Sequence, residues 1–152
     1  MELLIWCIGV LLLLIWFCVK PGRFAAAQAA PFYGVNHAHR GLYAQDQSVP
    51  ENSLPAFAAA AEKGYGMELD IQLSLDGEVV VFHDDTLARM CGIDGRVDAF
   101  PLARLREMPL AGTAERIPLL TEVFDTVAGK APIIIELKTG PRNEELCRKG
   151  LA

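Results

Sequence analysis

Residues 66–73, Gly-Met-Glu-Leu-Asp-Ile-Gln-Leu, alternate polar and apolar side chains and run into Ser74-Leu75-Asp76-Gly77, then Glu78-Val79-Val80-Val81-Phe82-His83-Asp84. Alternation broken by Asp-Gly predicts two extended segments joined by a tight turn. Side chains two apart on a strand share a face, so Glu68 and Asp70 project together while Met67, Leu69 and Ile71 project from the other side. Two carboxylates on one sheet face repel and resist burial. That face is therefore either wet or holds a cation.

The flanking segments extend this pattern. Residues 34–38 read as a strand closed by His39-Arg40-Gly41, which sets an imidazole and a guanidinium just past a strand end, with glycine to turn the backbone. An isolated histidine there is structural or solvated; beside an arginine, whose planar fork suits phosphate, it equally reads as anion-facing. Ser53 is a candidate N-cap for a helix from Leu54 that contains Pro55 in its first turn and ends before Gly64. On local pattern Glu51 is a solvated loop acid. Past Asp84 the chain reads as irregular, without the regular acids and closing Glu of an EF-hand loop. A short helix over 102–108 follows, and the spacing of Leu120, Val123, Phe124 and Val127 predicts another, with Thr121 as candidate cap. Residues 131–138, rich in isoleucine, read as a fully buried strand. Glu136 and Lys138 share a face on it, as a local salt bridge or as a third metal ligand with a phosphate-directed lysine.

Composition bears on the partners. The net charge of −5 supplies no basic cluster to neutralise a phosphate backbone, which argues against nucleic acid. The four cysteines lack metal-type spacing and read as small apolar residues. Much of the 52% hydrophobic content lies in the uncharged run Leu3 to Val19. That run predicts a single membrane-spanning helix over 1–20, near the short end of the usual range of about 17 to 25 residues. A linker over 21–33 and one domain over 34–152 follow. Lys20 and Arg23, after the run, favour a cytoplasmic domain. The alternative is a signal sequence cleaved at Ala25-Ala26-Ala27 or Ala27-Gln28-Ala29, with export of the remainder.

Taken in order, His39-Arg40-Gly41, Pro50-Glu51-Asn52-Ser53, Gly64-x-x-x-Glu68-x-Asp70, Asp76-Gly77-x-x-Val80-x-x-His83-Asp84 and Ile135-Glu136-Leu137-Lys138 resemble the glycerophosphodiester phosphodiesterase family, within the phosphatidylinositol-phospholipase-C-like phosphodiesterases. The resemblance runs from about Val35 to Lys138. It implies an α/β fold of (β/α)8 TIM-barrel type with its site at the C-terminal strand ends. It also implies metal ligands Glu68, Asp70 and Glu136, catalytic His39 and His83, and phosphate-facing Arg40 and Lys138, with Glu51 supporting. The implied cofactor is a divalent metal, Ca²⁺ or Mg²⁺. The implied reaction is hydrolysis of glycerophosphodiesters or lysophospholipid-type substrates to an alcohol and glycerol 3-phosphate, in lipid metabolism. His83 is the expected proton donor to the leaving alkoxide. Such barrels run to about 250 residues, so with about four barrel strands the 152 residues here are expected to form the N-terminal half of one. The alternative is a catalytically inactive, membrane-anchored remnant or binding module of the same fold.

Overall fold

The computed structural model describes residues 2–19 and 26–150. The chain divides into two compact units, Met1–Tyr33 and Gly34–Ala152. In the first, helix α1 (Glu2–Val19) is followed by the short helix α2 (Ala26–Ala29) and a 3-10 turn over Ala30–Phe32. The side chains of residues 5–19 are all exposed. The expected spanning helix is not supported: among the described residues no helix is long and apolar enough to cross a membrane. Lys20 and Arg23, on which the expected sidedness rested, lie outside the described residues, as does Ala25 of one candidate cleavage site.

The second unit is built on a four-stranded sheet. Strand β1 (His37–His39) lies parallel to β2 (Gly66–Leu73), pairing His39 with Glu68. The turn at Asp76-Gly77 returns the chain antiparallel as β3 (Val79–Val81) beside the far end of β2, and β4 (Ile133–Leu137) pairs parallel to β2 on its other side, with Asp70 opposite Glu136. The hairpin follows the Asp-Gly signal. The first strand begins three residues later than the sequence indicates, at His37 instead of Gly34. Among the described residues β1, β2 and β4 run parallel, so the barrel-type portion described has three strands against the four expected; β3 is the antiparallel partner.

Each parallel pair is bridged by a helix. Helix α3 (Leu54–Glu62) links β1 to β2, and Ser53 caps it by accepting the Ala56 N–H at 3.4 Å while its own hydroxyl donates to Pro50 O at 2.6 Å. Helix α6 (Leu120–Val127) precedes β4. Its N-cap is Leu119, not Thr121, which lies inside the first turn; the Glu122 carboxylate accepts the Leu119 N–H at 2.8 Å. An acid three residues on satisfies that donor from inside the helix, so no hydroxyl is needed. Met67, Leu69, Ile71 and Leu73 form one core with Phe57 and Ala60 of α3 and Val123 and Val127 of α6. The apolar face of β2 is thus the outer, helix-covered face, and Glu68 and Asp70 project from the opposite one.

Two further expectations change. The strand over 131–138 is not fully buried: Ile134 is 44% exposed, and burial alternates along β4. Isoleucines 133 and 135 pack against the helix-covered core, while Ile134 and Glu136 share the opposite face, which carries no helix. The stretch past Asp84, read as irregular up to a short helix over 102–108, has a core of its own, and the α-helix found within 102–108 covers Leu102–Leu105. Val80, Phe82, Leu87, Met90, Val97, Leu105, Met108, Leu110 and Ile117 cluster there around the short helices α4 (Ala88–Cys91) and α5 (Leu102–Leu105). Its apolar residues follow no single period, because short turns present them at irregular intervals. Helix α7 (Asn143–Gly150) buries Leu146, and Arg142 just before it donates to Ser74 O of the hairpin turn at 2.8 Å.

Candidate active site

The parallel ladder of β2 ends at Glu68 on the β1 side and Ile71 on the β4 side. The polar side chains collect at that end. Glu68, Asp70 and Glu136 each offer a carboxylate oxygen, and these atoms all lie within 4.8 Å of one another. Register explains it: Glu68 and Asp70 share one face of β2, and pairing sets Glu136 directly beside Asp70. Crowding and burial have electrostatic consequences. Burial pushes the Glu68 carboxyl above its usual range, and the charges of Asp70 and Glu136 push the same way, against the Arg40 N–H that donates to it. Glu136 is held below its usual range, chiefly by the Lys138 ammonium bonded to it at 2.8 Å.

Asp70 is the most enclosed of the three, with its side chain 1% exposed. Oδ2 accepts from Asn52 Nδ2 at 2.9 Å and lies 3.6 Å from Arg40 Nε. Oδ1 is buried without a hydrogen-bond partner, with Lys138 Nζ 3.5 Å away. A buried carboxylate oxygen that accepts no hydrogen bond, with only the Lys138 ammonium at 3.5 Å to set against two further carboxylates, is the environment a cation relieves. An oxygen-only donor set is what hard divalent cations take. The residues present therefore fit such an ion.

His39 stands at the end of β1, 65% exposed, with Nε2 3.8 Å from Glu68 Oε2. Arg40 follows at φ +58°, which turns its backbone N–H onto Glu68 Oε2 at 3.1 Å and its Nη1 onto Glu51 Oε1 at 2.9 Å. Gly41 makes this turn possible. Its φ is +80°, and a Cβ there would lie 2.9 Å from Ala56 Cβ on α3. On the far side, Phe82 N–H donates to Asp70 O at 2.9 Å, which brings His83 next to the acids. Its Nδ1 lies 2.7 Å from Asp84 Oδ1. A carboxylate can only accept, so Nδ1 carries the proton and Nε2 is the atom left for other chemistry. Gln72, next along the acidic face of β2, donates to Phe82 O at 2.9 Å and to Asp84 O at 2.8 Å, tethering the backbone around His83.

The eight residues singled out from sequence converge here. Lys138 is paired with Glu136 and Asp70, so both readings of that pair meet in one geometry. Glu51 is not solvated: its side chain is 6% exposed and lies between Arg40 and Arg89. Asn52, Gln72, Asp84 and Arg89 join them from outside the set that the sequence indicates. Asn52 lies within the Pro-Glu-Asn-Ser motif and Asp84 within His-Asp, so those two carried a local signal; Gln72 and Arg89 act only through contacts across the fold.

Parallel strands alternating with helices on one face, and an acidic cluster with two histidines at the strands' C-terminal ends, define a (β/α)-barrel-type protein with an enzyme-like site. The family follows from comparison: the sequence profile of the glycerophosphoryl diester phosphodiesterase family matches residues 39–151, and the chain belongs to that family. A glycerophosphodiester phosphodiesterase of Caldanaerobacter subterraneus subsp. tengcongensis is 41% identical over 112 residues, 68% of this chain and 44% of that protein. Human lysophospholipase D GDPD1 is 31% identical over 131 residues, 78% of this chain and 40% of that protein. Among solved structures, an Oleispira antarctica phosphodiesterase in complex with the product sn-glycerol-3-phosphate aligns with a TM-score of 0.71 and 32% identity, covering 81% of this chain and 52% of that one. A Thermotoga maritima glycerophosphodiester phosphodiesterase aligns with a TM-score of 0.64 and 37% identity, covering 77% and 48%. The chain spans about half the length of the relatives it matches.

Proposed function

We propose that this chain carries the catalytic constellation for divalent-metal-dependent hydrolysis of glycerophosphodiesters to an alcohol and sn-glycerol 3-phosphate. The observation that carries the reading is the grouping of Glu68, Asp70 and Glu136 around a buried Asp70 oxygen that accepts no hydrogen bond, flanked by His39 and His83. Charge balance supports it. Glu51, Glu68, Asp70, Asp84 and Glu136 outnumber Arg40, Arg89 and Lys138, so an anionic diester meets net repulsion at this site unless a cation joins it. Glu68, Asp70 and Glu136 would hold Ca²⁺ or Mg²⁺, which when bound draws charge from the phosphoryl oxygens.

The chain's own residues supply the rest. Arg40 has three carboxylates around it and presents its guanidinium beside the acidic cluster, suited to orienting a phosphate. Lys138 supplies a second positive charge at the same edge. His83, its Nδ1–H held by Asp84, offers Nε2 to pass a proton to the leaving alkoxide, and exposed His39 takes the proton of the attacking hydroxyl. That hydroxyl is a neighbouring one on the substrate or that of water.

The test has two parts. First, thermal unfolding is followed with and without Ca²⁺ or Mg²⁺. An ion at about a hundred times its Kd stabilises the fold by about 2.7 kcal/mol, and Asp70→Asn should abolish the shift. Second, release of glycerol 3-phosphate from glycerophosphocholine should need the ion and be lost in His39→Ala and His83→Ala. An unchanged unfolding temperature with either ion, or release that persists in chelator, would sink the reading.

A further inference from the structure

Arg89, on α4, is not one of the eight residues indicated by the sequence, yet its guanidinium is fully engaged at the edge of the site. Nε donates to Asp84 Oδ2 at 2.6 Å and Nη2 to Asp84 Oδ1 at 2.9 Å. Nη2 also donates to Glu51 Oε1 at 2.7 Å, and Nη1 to Glu51 Oε2 at 3.1 Å and Met90 Sδ at 3.2 Å. One planar fork thus grips two carboxylates in bidentate fashion. Lysine, a point donor on a flexible stem, cannot do this. The two carboxylates differ in what they do. Glu51 is buried and also bonded to Arg40, so it is a fixed anchor. Asp84 is more exposed and accepts from His83 Nδ1 on the same oxygen that Nη2 reaches.

We propose that Arg89 is a positioning residue for His83: anchored on Glu51, it fixes the plane of the Asp84 carboxylate that holds the imidazole as its Nδ1–H form. The proposal rests on the reading of His83 as a proton carrier at Nε2, since the Nδ1–H form is what leaves that atom free. Arg89 also holds the Asp84 carboxyl down at about 2, so Asp84 remains an acceptor in ordinary buffers. Removing Arg89 has two opposed effects on the tautomer. Asp84 becomes a more basic acceptor, but it loses both bonds that fix its orientation, and water competes for a partly exposed carboxylate. Orientation governs here, because a hydrogen bond open to water contributes little unless its geometry is held.

The tautomer can be read without substrate or metal, so failure of this proposal is distinct from failure of the hydrolytic one. Imidazole ¹⁵N spectra of the full chain are recorded at about pH 9, above ordinary imidazole titration, with His83 assigned by its loss in His83→Gln. The wild type should show predominantly Nδ1–H. Arg89→Met should lower the ratio of Nδ1–H to Nε2–H about fivefold or more, as expected for losing one well-formed hydrogen bond. Arg89→Lys, which keeps the charge without the fork, should lower it in the same direction, and Glu51→Gln should do so more weakly. In an Asp84→Ala background, Arg89→Met should change nothing further. An unchanged or higher ratio in Arg89→Met with far-UV circular dichroism retained overturns the proposal, as does an equal change in the Asp84→Ala background. If Arg89→Met does not fold, the Arg89→Lys ratio decides by the same criterion.

Discussion

Asn52 provides the sharpest test of how the acidic cluster is held. Its φ is +53°, its Nδ2 donates to Asp70 Oδ2 at 2.9 Å, and its backbone N–H donates to Arg40 O at 2.9 Å. Asn52→Ala removes the side-chain donor from a buried carboxylate and leaves a Cβ residue in the left-handed region. A hydrogen bond to a charged group is worth about 1.5–3 kcal/mol, and the left-handed conformation costs alanine about 1 kcal/mol more than asparagine, whose side chain tolerates it. Together these give a loss of about 3 kcal/mol at neutral pH. Asn52→Gly loses the same bond but not the conformational ease, so it should recover about 0.5–1 kcal/mol of that loss, after its greater unfolded-state freedom is counted. Urea unfolding of the three proteins, with slopes compared to confirm a common transition, supplies the numbers. The reasoning is refuted if Asn52→Ala falls within about 0.5 kcal/mol of wild type, or if Asn52→Gly is the less stable variant.

Two more outcomes follow from the same geometry. Gly41→Ala combines a φ of +80° with a Cβ 2.9 Å from Ala56 Cβ, and the Leu42 N–H bond to Ala56 O at 2.9 Å ties that turn to α3; it should lose about 2–4 kcal/mol in urea unfolding, and a stability equal to wild type would show that the contact relaxes freely. The Asp84 carboxyl is lowered in the fold from 3.8 to about 2, first by its hydrogen bonds from Arg89, with burial opposing. A depressed folded value stabilises above the unfolded one and is lost as pH falls through the folded one. The difference in urea midpoint between wild type and Asp84→Asn should therefore shrink between about pH 4 and pH 2; a difference that stays undiminished over that range contradicts the assignment.

Much of the site was legible because its determinants are local. The hairpin follows from Asp76-Gly77, the capped helix from Ser53 and Pro55, and the shared face of Glu68 and Asp70 from the period of a strand. Glu51 shows the limit. Local pattern makes it a solvated acid, whereas the fold buries it between Arg40 and Arg89, and the second of these lies 38 positions away. The Asn52 bond to Asp70 spans 18 positions, and Gln72 reaches Asp84 O across the hairpin. No periodicity encodes such pairings. Helix α1 is the converse case: apolar composition alone indicated a span, which the structure does not support, since among the described residues no helix is long and apolar enough to cross a membrane.

Sequence alone determined which residues carry charge, which strand face is apolar, and where the backbone can turn, because these depend on side-chain chemistry and neighbours within a few positions. Tertiary structure decided the rest. It set Glu136 beside Asp70 by strand register, left one Asp70 oxygen buried without a hydrogen bond, and joined Glu51, Arg89, Asp84 and His83 into one chain of contacts. Those are consequences of packing distant segments together, and a buried carboxylate acquires its electrostatic character only once that packing has removed the water around it.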